Sequence, residues 1–247
     1  MFDKEIEFSA HEDYFAQKED YPTPIKLNIP EWYKKLEHSF EKATIKGCMP
    51  FLDTLTSGYL LKMPQDFNVR HNVKNKEDKP DSFQTFALHA RGDLLYNKSI
   101  NLNSRIDVHS LEQVKGSPFI EKNKNLPFYK IVNPWKIKTP KGYSCLFVSP
   151  LNNTDDRFSI ISGIVDTDTF PNEINFPIVI NGDKYPVLED TIKKGTPYVQ
   201  IIPFKRDSWK MKLSLRKPKE IQISRLFYGL KILNIYKNKF WKKKLWK

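Results

Sequence analysis

Apolar and polar positions alternate in short runs along most of the chain, and long helical periodicity is rare. Four runs in the centre carry the pattern: Ser144 to Val148, Phe158 to Val165, Phe176 to Ile180 and Tyr198 to Phe204. Each is rich in Ile, Val, Phe and Tyr and is bounded by Gly, Pro, Asn or Asp, the signature of strands joined by turns. Tyr59 to Met63, Phe67 to Val69, Ser82 to Ala90 and Ser104 to Val108 read as further strands, with Ser57-Gly58 and Arg91-Gly92-Asp93 as turns. Ile45 to Thr56 fits a strand or a helical turn, and Leu111 to Lys130, with Gly116, Pro118 and Pro127, reads as irregular. Trp209, Met211, Leu213 and Leu215 alternate with Lys210, Lys212, Ser214 and Arg216, which predicts one more half-exposed strand.

Two segments have helical spacing. Trp32, Leu36, Phe40 and Ala43 share one face behind Asn28 and Pro30, predicting a short helix from Pro30 to Lys42. Ile223, Leu226, Phe227, Leu230 and Leu233 form a stripe in an amphipathic C-terminal helix, weakened at Gly229. The expectation is therefore a mainly β protein in three parts. Residues 1–43 form an arm and short helix, 44–216 a β domain, and 217–247 a basic amphipathic helix and tail.

Charge sharpens this division. The net charge of +12 is concentrated after Phe204. From Lys205 to Lys247 there are 15 Lys plus Arg against 2 Asp plus Glu, so the rest of the chain is nearly neutral. A basic segment of this kind points to a phosphate-bearing partner. Its end, NIYKNKFWKKKLWK, interleaves Lys237, Lys239, Lys242, Lys243 and Lys244 with Trp241 and Trp246. Lysines there can neutralise phosphates while aromatic rings stack on bases, or the same pattern can lie on an anionic membrane surface. The acidic N-terminus has no signal-peptide core, and no run is long enough to span a membrane. With only Cys48 and Cys145, two buried free thiols in a reducing cytoplasm are expected, with a single disulfide as the alternative.

The central stretch resembles the deoxyuridine triphosphatase and deoxycytidine triphosphate deaminase superfamily, whose fold is the β-clip. The resemblance rests on three segments in order: TPKGYSCLFVSP from Thr139, SGIVDTDTF from Ser162 and IKKGTPYVQIIPFKR from Ile192. A weaker fourth is SGYLLKMPQDFNV from Ser57. By that likeness Asp166 would be the general base that activates water, and Asp168, Gly195 and Gln200 would line the nucleotide site, Gln200 holding phosphate oxygens. Magnesium would enter with the triphosphate. A homotrimer or other homo-oligomer with shared sites would follow.

The departures point away from catalysis. Leu151 and Asn152 stand where the family has an Arg and a Ser for phosphate, which removes a guanidinium fork. Leu60 replaces an Asp, Thr169 replaces a Tyr, and the Gly-rich closing motif is missing. The whole chain also resembles a family of marine phages and bacteria, on IPEWYKKL, NPWKIKTPKGYSCLF, VDTDTFPNEINFP and GTPYVQIIPFKR, which brings no established activity and places the protein in host cytoplasm if phage-encoded.

The expected function is a non-catalytic β-clip binding or assembly module with a basic tail. A divergent nucleotide hydrolase using Asp166 and Gln200 is the alternative. A second alternative is a non-haem metal oxygenase on Asp107 and His109, with His71 and His89 upstream.

Overall fold

The computed structural model describes residues 4–39, 41–74, 87–88, 106–124, 126, 128–152, 155–219, 221–222 and 235–247. In chain order the strands are β1 (Glu7–Ser9), β2 (Thr23–Pro24), β3 (Tyr59–Lys62), β4 (Phe67–Asn72), β5 (Ala87–Leu88), β6 (Ile106–His109) and β7 (Phe128–Ile131). They continue as β8 (Lys136–Lys138), β9 (Tyr143–Val148), β10 (Phe158–Ile160), β11 (Gly163–Val165), β12 (Phe176–Ile180), β13 (Val187–Ile192) and β14 (Pro197–Lys205). Four described α-helices are single turns or little more: α1 (Glu12–Phe15), α2 (Glu31–Lys35), α3 (Met49–Thr54) and α4 (Pro118–Asn123). The protein is mainly β, as expected.

Two sheets hold most of the core. One runs β11-β9-β14-β3-β2 and the other β10-β12-β7-β6; β13-β4-β5 and β1-β8 complete the set. All described pairings are antiparallel. Strand β14 lies between β9 and β3, with Gln200 opposite Val148 on one side and Leu60 on the other. Alternate residues Val199 and Ile201 point into the core with Cys145 and Phe147 of β9. There they meet Ile131, Phe176, Ile178 and Ile180 of the second sheet. Phe176 sits 5.4 Å from Phe147 in a tilted contact and 5.8 Å from Tyr198 in a T-shaped one, the edge-to-face arrangement that aromatic rings favour.

The central runs become strands at Ser144, Phe176 and Tyr198 as read. The run from Phe158 to Val165 splits, however. Its first part joins the second sheet as β10 and its last part joins the first as β11, across a break at Ile161-Ser162. Gly142 and Gly195 sit at turns with positive φ (84° and 83°), which a side chain resists, whereas Gly163 lies in β11 without one.

Several expectations need correction. Residues 7–25 are not a loose arm: Phe8 pairs with Ile137, Thr23 with Leu60, and Ile25 is buried. They therefore share sheets with the segment assigned to the β domain. Helix α2 stops at Lys35, and Leu36 is extended (ψ 123°). Tyr33 rather than Trp32 is the buried ring, because it stacks on Phe51 of α3 at 5.7 Å. A helix this short has little stability of its own, so that contact decides its face.

Leu111 to Lys130 is less irregular than its prolines suggested. Pro118 occupies the first turn of α4, where it lacks no bond, and Lys124 ends that helix in the left-handed region (φ 51°). Trp209 to Leu215 forms no ladder with any described strand. Pro218, Lys219, Ile221 and Gln222 are helical. The stripe from Ile223 to Leu233, most of the run from Ser82 to Ala90, and Arg91-Gly92-Asp93 lie outside the described residues.

Gly58 precedes β3 at φ 87°, and a Cβ there would lie 2.0 Å from the Ile201 carbonyl oxygen of β14. Gly142, with the same sign of φ, faces open space. Gly58→Ala should therefore destabilise by at least about 2 kcal/mol, and Gly142→Ala by roughly 1 kcal/mol, in urea unfolding. Equal effects would contradict the close approach of β3 and β14.

Candidate functional site

Residues of the Val165-Asp166-Thr167-Asp168 turn gather at the end of β9 and β14. The Asp166 carbonyl accepts from the N–H groups of Thr169 and Phe170 (3.0 and 2.9 Å), which folds the chain back directly after β11. This turn points two carboxylates at Arg206, the residue after β14. Asp168 accepts from Arg206 Nη1 (2.7 Å) and Nη2 (2.5 Å) and from the Gly142 N–H (2.8 Å). Its side chain is only 3% exposed. Asp166 is 60% exposed, accepts from Ser144 Oγ at 2.6 Å, and lies 3.1 Å from Arg206 Nη1.

The electrostatics follow from these bonds. The Arg206 guanidinium, then the Gly142 N–H, hold the Asp168 carboxyl down at about 2. The Ser144 hydroxyl, then Arg206, lower Asp166 as well, and both carboxylates raise Arg206. Beneath this cluster Thr167 and Thr139 share a buried hydroxyl–hydroxyl bond of 2.7 Å. Thr167 also donates to the Cys145 sulfur at 3.4 Å, and burial pushes that thiol up to about 11.

Asp166 and Gln200 do not meet in the monomer. Asp166 bonds Ser144, and Gln200 pairs opposite Val148, four positions along β9 and so about 13 Å away at the rise of a strand. Gln200 is fully buried, and its amide is committed to backbone. Its oxygen accepts from the Leu151 N–H (2.9 Å), and its nitrogen donates to the carbonyls of Thr54 (3.0 Å) and Ser57 (2.8 Å). That leaves it no capacity directed at a phosphate. Gly195 is a turn residue whose N–H donates to the Met63 carbonyl at 2.8 Å. A pocket of about 200 Å³ lies at the opposite end of β9, lined among others by Lys122, Ser149, Asn152, Asp155 and Tyr198. Neither Asp166 nor Gln200 lines it.

A general base works best with its pKa near the working pH. Asp166 is shifted the other way and paired with a cation. The arrangement at Asp166, Asp168 and Arg206 does the work of a clamp: it fastens the turn after β11 to the end of β14. Arg206 was not singled out from sequence, although it closes the run IIPFKR; only the folded register brings it to Asp168.

Among the described residues the histidines do not gather. The buried His71 ring bonds the Tyr185 carbonyl through Nε2 at 2.6 Å, a packing role. His89 and the side chains of Asp107 and His109 lie outside the described residues. Among the described residues no three His, Cys, Asp or Glu side chains come together as a metal site.

The tail divides into docked and exposed residues. Trp241 Nε1 donates to both Asp53 oxygens (3.1 Å), and Lys244 pairs with the same carboxylate at 2.5 Å. Trp246 lies edge-on to Tyr59 at 5.9 Å, and the Tyr59 hydroxyl donates to the Lys247 carbonyl. Both tryptophans are half-buried on the body, so they are not free platforms for bases, contrary to expectation. Lys237, Lys239, Lys242 and Lys243 remain exposed.

No family model matches the chain, and no curated protein is significantly similar to it. Among the described residues no helix is long and apolar enough to cross a membrane.

Asp168 gains its low pKa only in the folded state, so the stability it contributes is complete above about pH 4 and is lost as pH falls towards 2. Asp168→Asn should lower the melting temperature at pH 7 and flatten the melting curve's dependence on pH between about 4 and 2. An unchanged profile in thermal unfolding would show that the clamp does not hold the turn.

Proposed function

We propose that the chain is a non-catalytic binding module of the β-clip type whose basic C-terminal segment contacts nucleic acid. The observation that carries this reading is the commitment of the resembled catalytic groups to structure. Asp168 and Asp166 are held by Arg206, and Gln200 by three backbone groups. The side chains that would meet a triphosphate are thus engaged, and Leu151 and Asn152 replace the cation that would neutralise it.

Exposed cations supply the binding chemistry. Lys210, Lys212, Lys217 and Lys219 follow β14, and Lys237, Lys242 and Lys243 stand on the tail, all solvent-exposed and without a salt bridge among the described residues. Lysines of this kind bind a polyanion by releasing its counterions, with little sequence preference. Lys244 and Trp241 anchor the tail to Asp53 and so present Lys242 and Lys243 from a fixed place.

Fluorescence anisotropy with labelled single- and double-stranded DNA tests this. Binding should weaken steeply with salt, and Lys242→Glu with Lys243→Glu should reduce the logarithmic salt slope by about 1 to 2. Absence of salt-dependent binding overturns the proposal. Deoxynucleoside triphosphate hydrolysis that Asp166→Asn abolishes would establish the hydrolase instead.

A further inference from the structure

Strand β14 ends at Lys205, and the Arg206 N–H donates to the Gly142 carbonyl at 2.9 Å as the chain leaves the sheet. From 207 to 217 the chain is exposed throughout and joins no ladder among the described residues. Yet its sequence keeps a period of two. Trp209, Met211, Leu213 and Leu215 are 82–99% exposed, with Lys210, Lys212, Ser214 and Arg216 between them. In an extended chain these sets fall on opposite faces, one apolar and one basic. This is the sequence pattern of an amphipathic strand, without a sheet. Its own sheet has no place for it beside β14, because β9 and β3 already flank that strand.

A fitting surface exists elsewhere on the same chain. Ile164 on β11 stands opposite Leu146 on β9, and Leu146 opposite Ile202 on β14. These three form a row across the face of the five-stranded sheet that points away from Cys145, Phe147 and Ile201 of the core. A water-facing antiparallel face is normally polar. Here Leu146 and Ile202 are half-buried and Ile164 is 64% exposed. Strand β11 is the outermost strand of that sheet, so one side of its backbone has no strand partner among the described residues.

We propose that residues 209–215 of one copy add as a strand to the open edge of β11 in a second copy. Trp209, Met211, Leu213 and Leu215 then lie on the face that carries Ile164, Leu146 and Ile202. The occupant is a sheet edge because an extended segment must pair its amides as well as bury its side chains. A lipid surface provides no such pairing, and Met211, Leu213 and Leu215 have no ring to stack on a base. Trp209 alone brings about 200 Å² of the roughly 800 Å² per partner in a standard interface. Lys210, Lys212, Ser214 and Arg216 then fall on the other face of the extended sheet, the side of Gly163 and Val165. The arm and its receptor are different surfaces, so reciprocal exchange closes a two-fold dimer, whereas a one-way contact propagates to a ring or a chain of copies.

Light scattering and sedimentation of the full chain across the micromolar range test the proposal. The expected result is a mass above that of the monomer. Trp209→Ser with Leu213→Ser, and separately Ile164→Lys, should each weaken association at least about tenfold. Both sets change exposed side chains, so circular dichroism should be unaltered. Mixing the two variants should restore a one-to-one pair, since each keeps the half the other lost. A monomer at every concentration overturns the proposal, as does assembly that survives the arm variant or a mixture that fails to pair. Loss of DNA binding with assembly intact would instead count against the nucleic-acid reading alone.

Discussion

Strand β14 has neighbours on both sides, and that confinement governs the rest of the molecule. Its backbone is paired with β9 and β3; past an irregularity in the β3 pairing between Pro197 and Val199, the side chains from Val199 to Ile202 alternate between the core and the opposite face, which fixes the register there. Gln200 is the one buried polar side chain on the strand, and it is stable there because three backbone groups around it are satisfied at once. The same register places Arg206 beside Gly142 and sets its guanidinium on Asp168. The turn after β11 and the departure of the chain at 207 both follow from where β14 ends.

Much of the sheet framework was legible because its strands are apolar on both faces or bounded by unambiguous turns. Ser144 to Val148 and Tyr198 to Phe204 have neighbours that bury them, and their composition says so. Strand β13 went unread because VLEDTI carries two acids in six residues. Its partners are distant in sequence: Glu189 meets Arg70, and Asp190 meets Arg157. No local pattern reveals such pairing. The alternation at Trp209 to Leu215 was visible, but alternation reports a half-buried strand without saying which chain buries it.

The site divides in the same way. The turn residues Asp166 and Asp168 were found from motif order, and they do sit together. Their chemistry was not readable, because it depends on Arg206, some forty positions downstream. Gln200 shows the opposite failure. A Gln in a strand is compatible with binding a phosphate or with filling a backbone gap, and only the nearness of Thr54 and Ser57 decides between them. The tail tryptophans were read as stacking platforms, whereas Asp53 and Tyr59 fix them to the body.

The two cysteines are chemically unlike. Cys145 lies under the first sheet, bonded by Thr167, with its thiol held to about 11 by burial, while Cys48 is exposed just before α3. The thiolate is the nucleophile that attacks an alkylating reagent, so at neutral pH the folded chain offers a single addressable sulfur. A spectroscopic label can therefore be attached at Cys48 without engineering, and modification of the other cysteine becomes a chemical report that the sheet has opened.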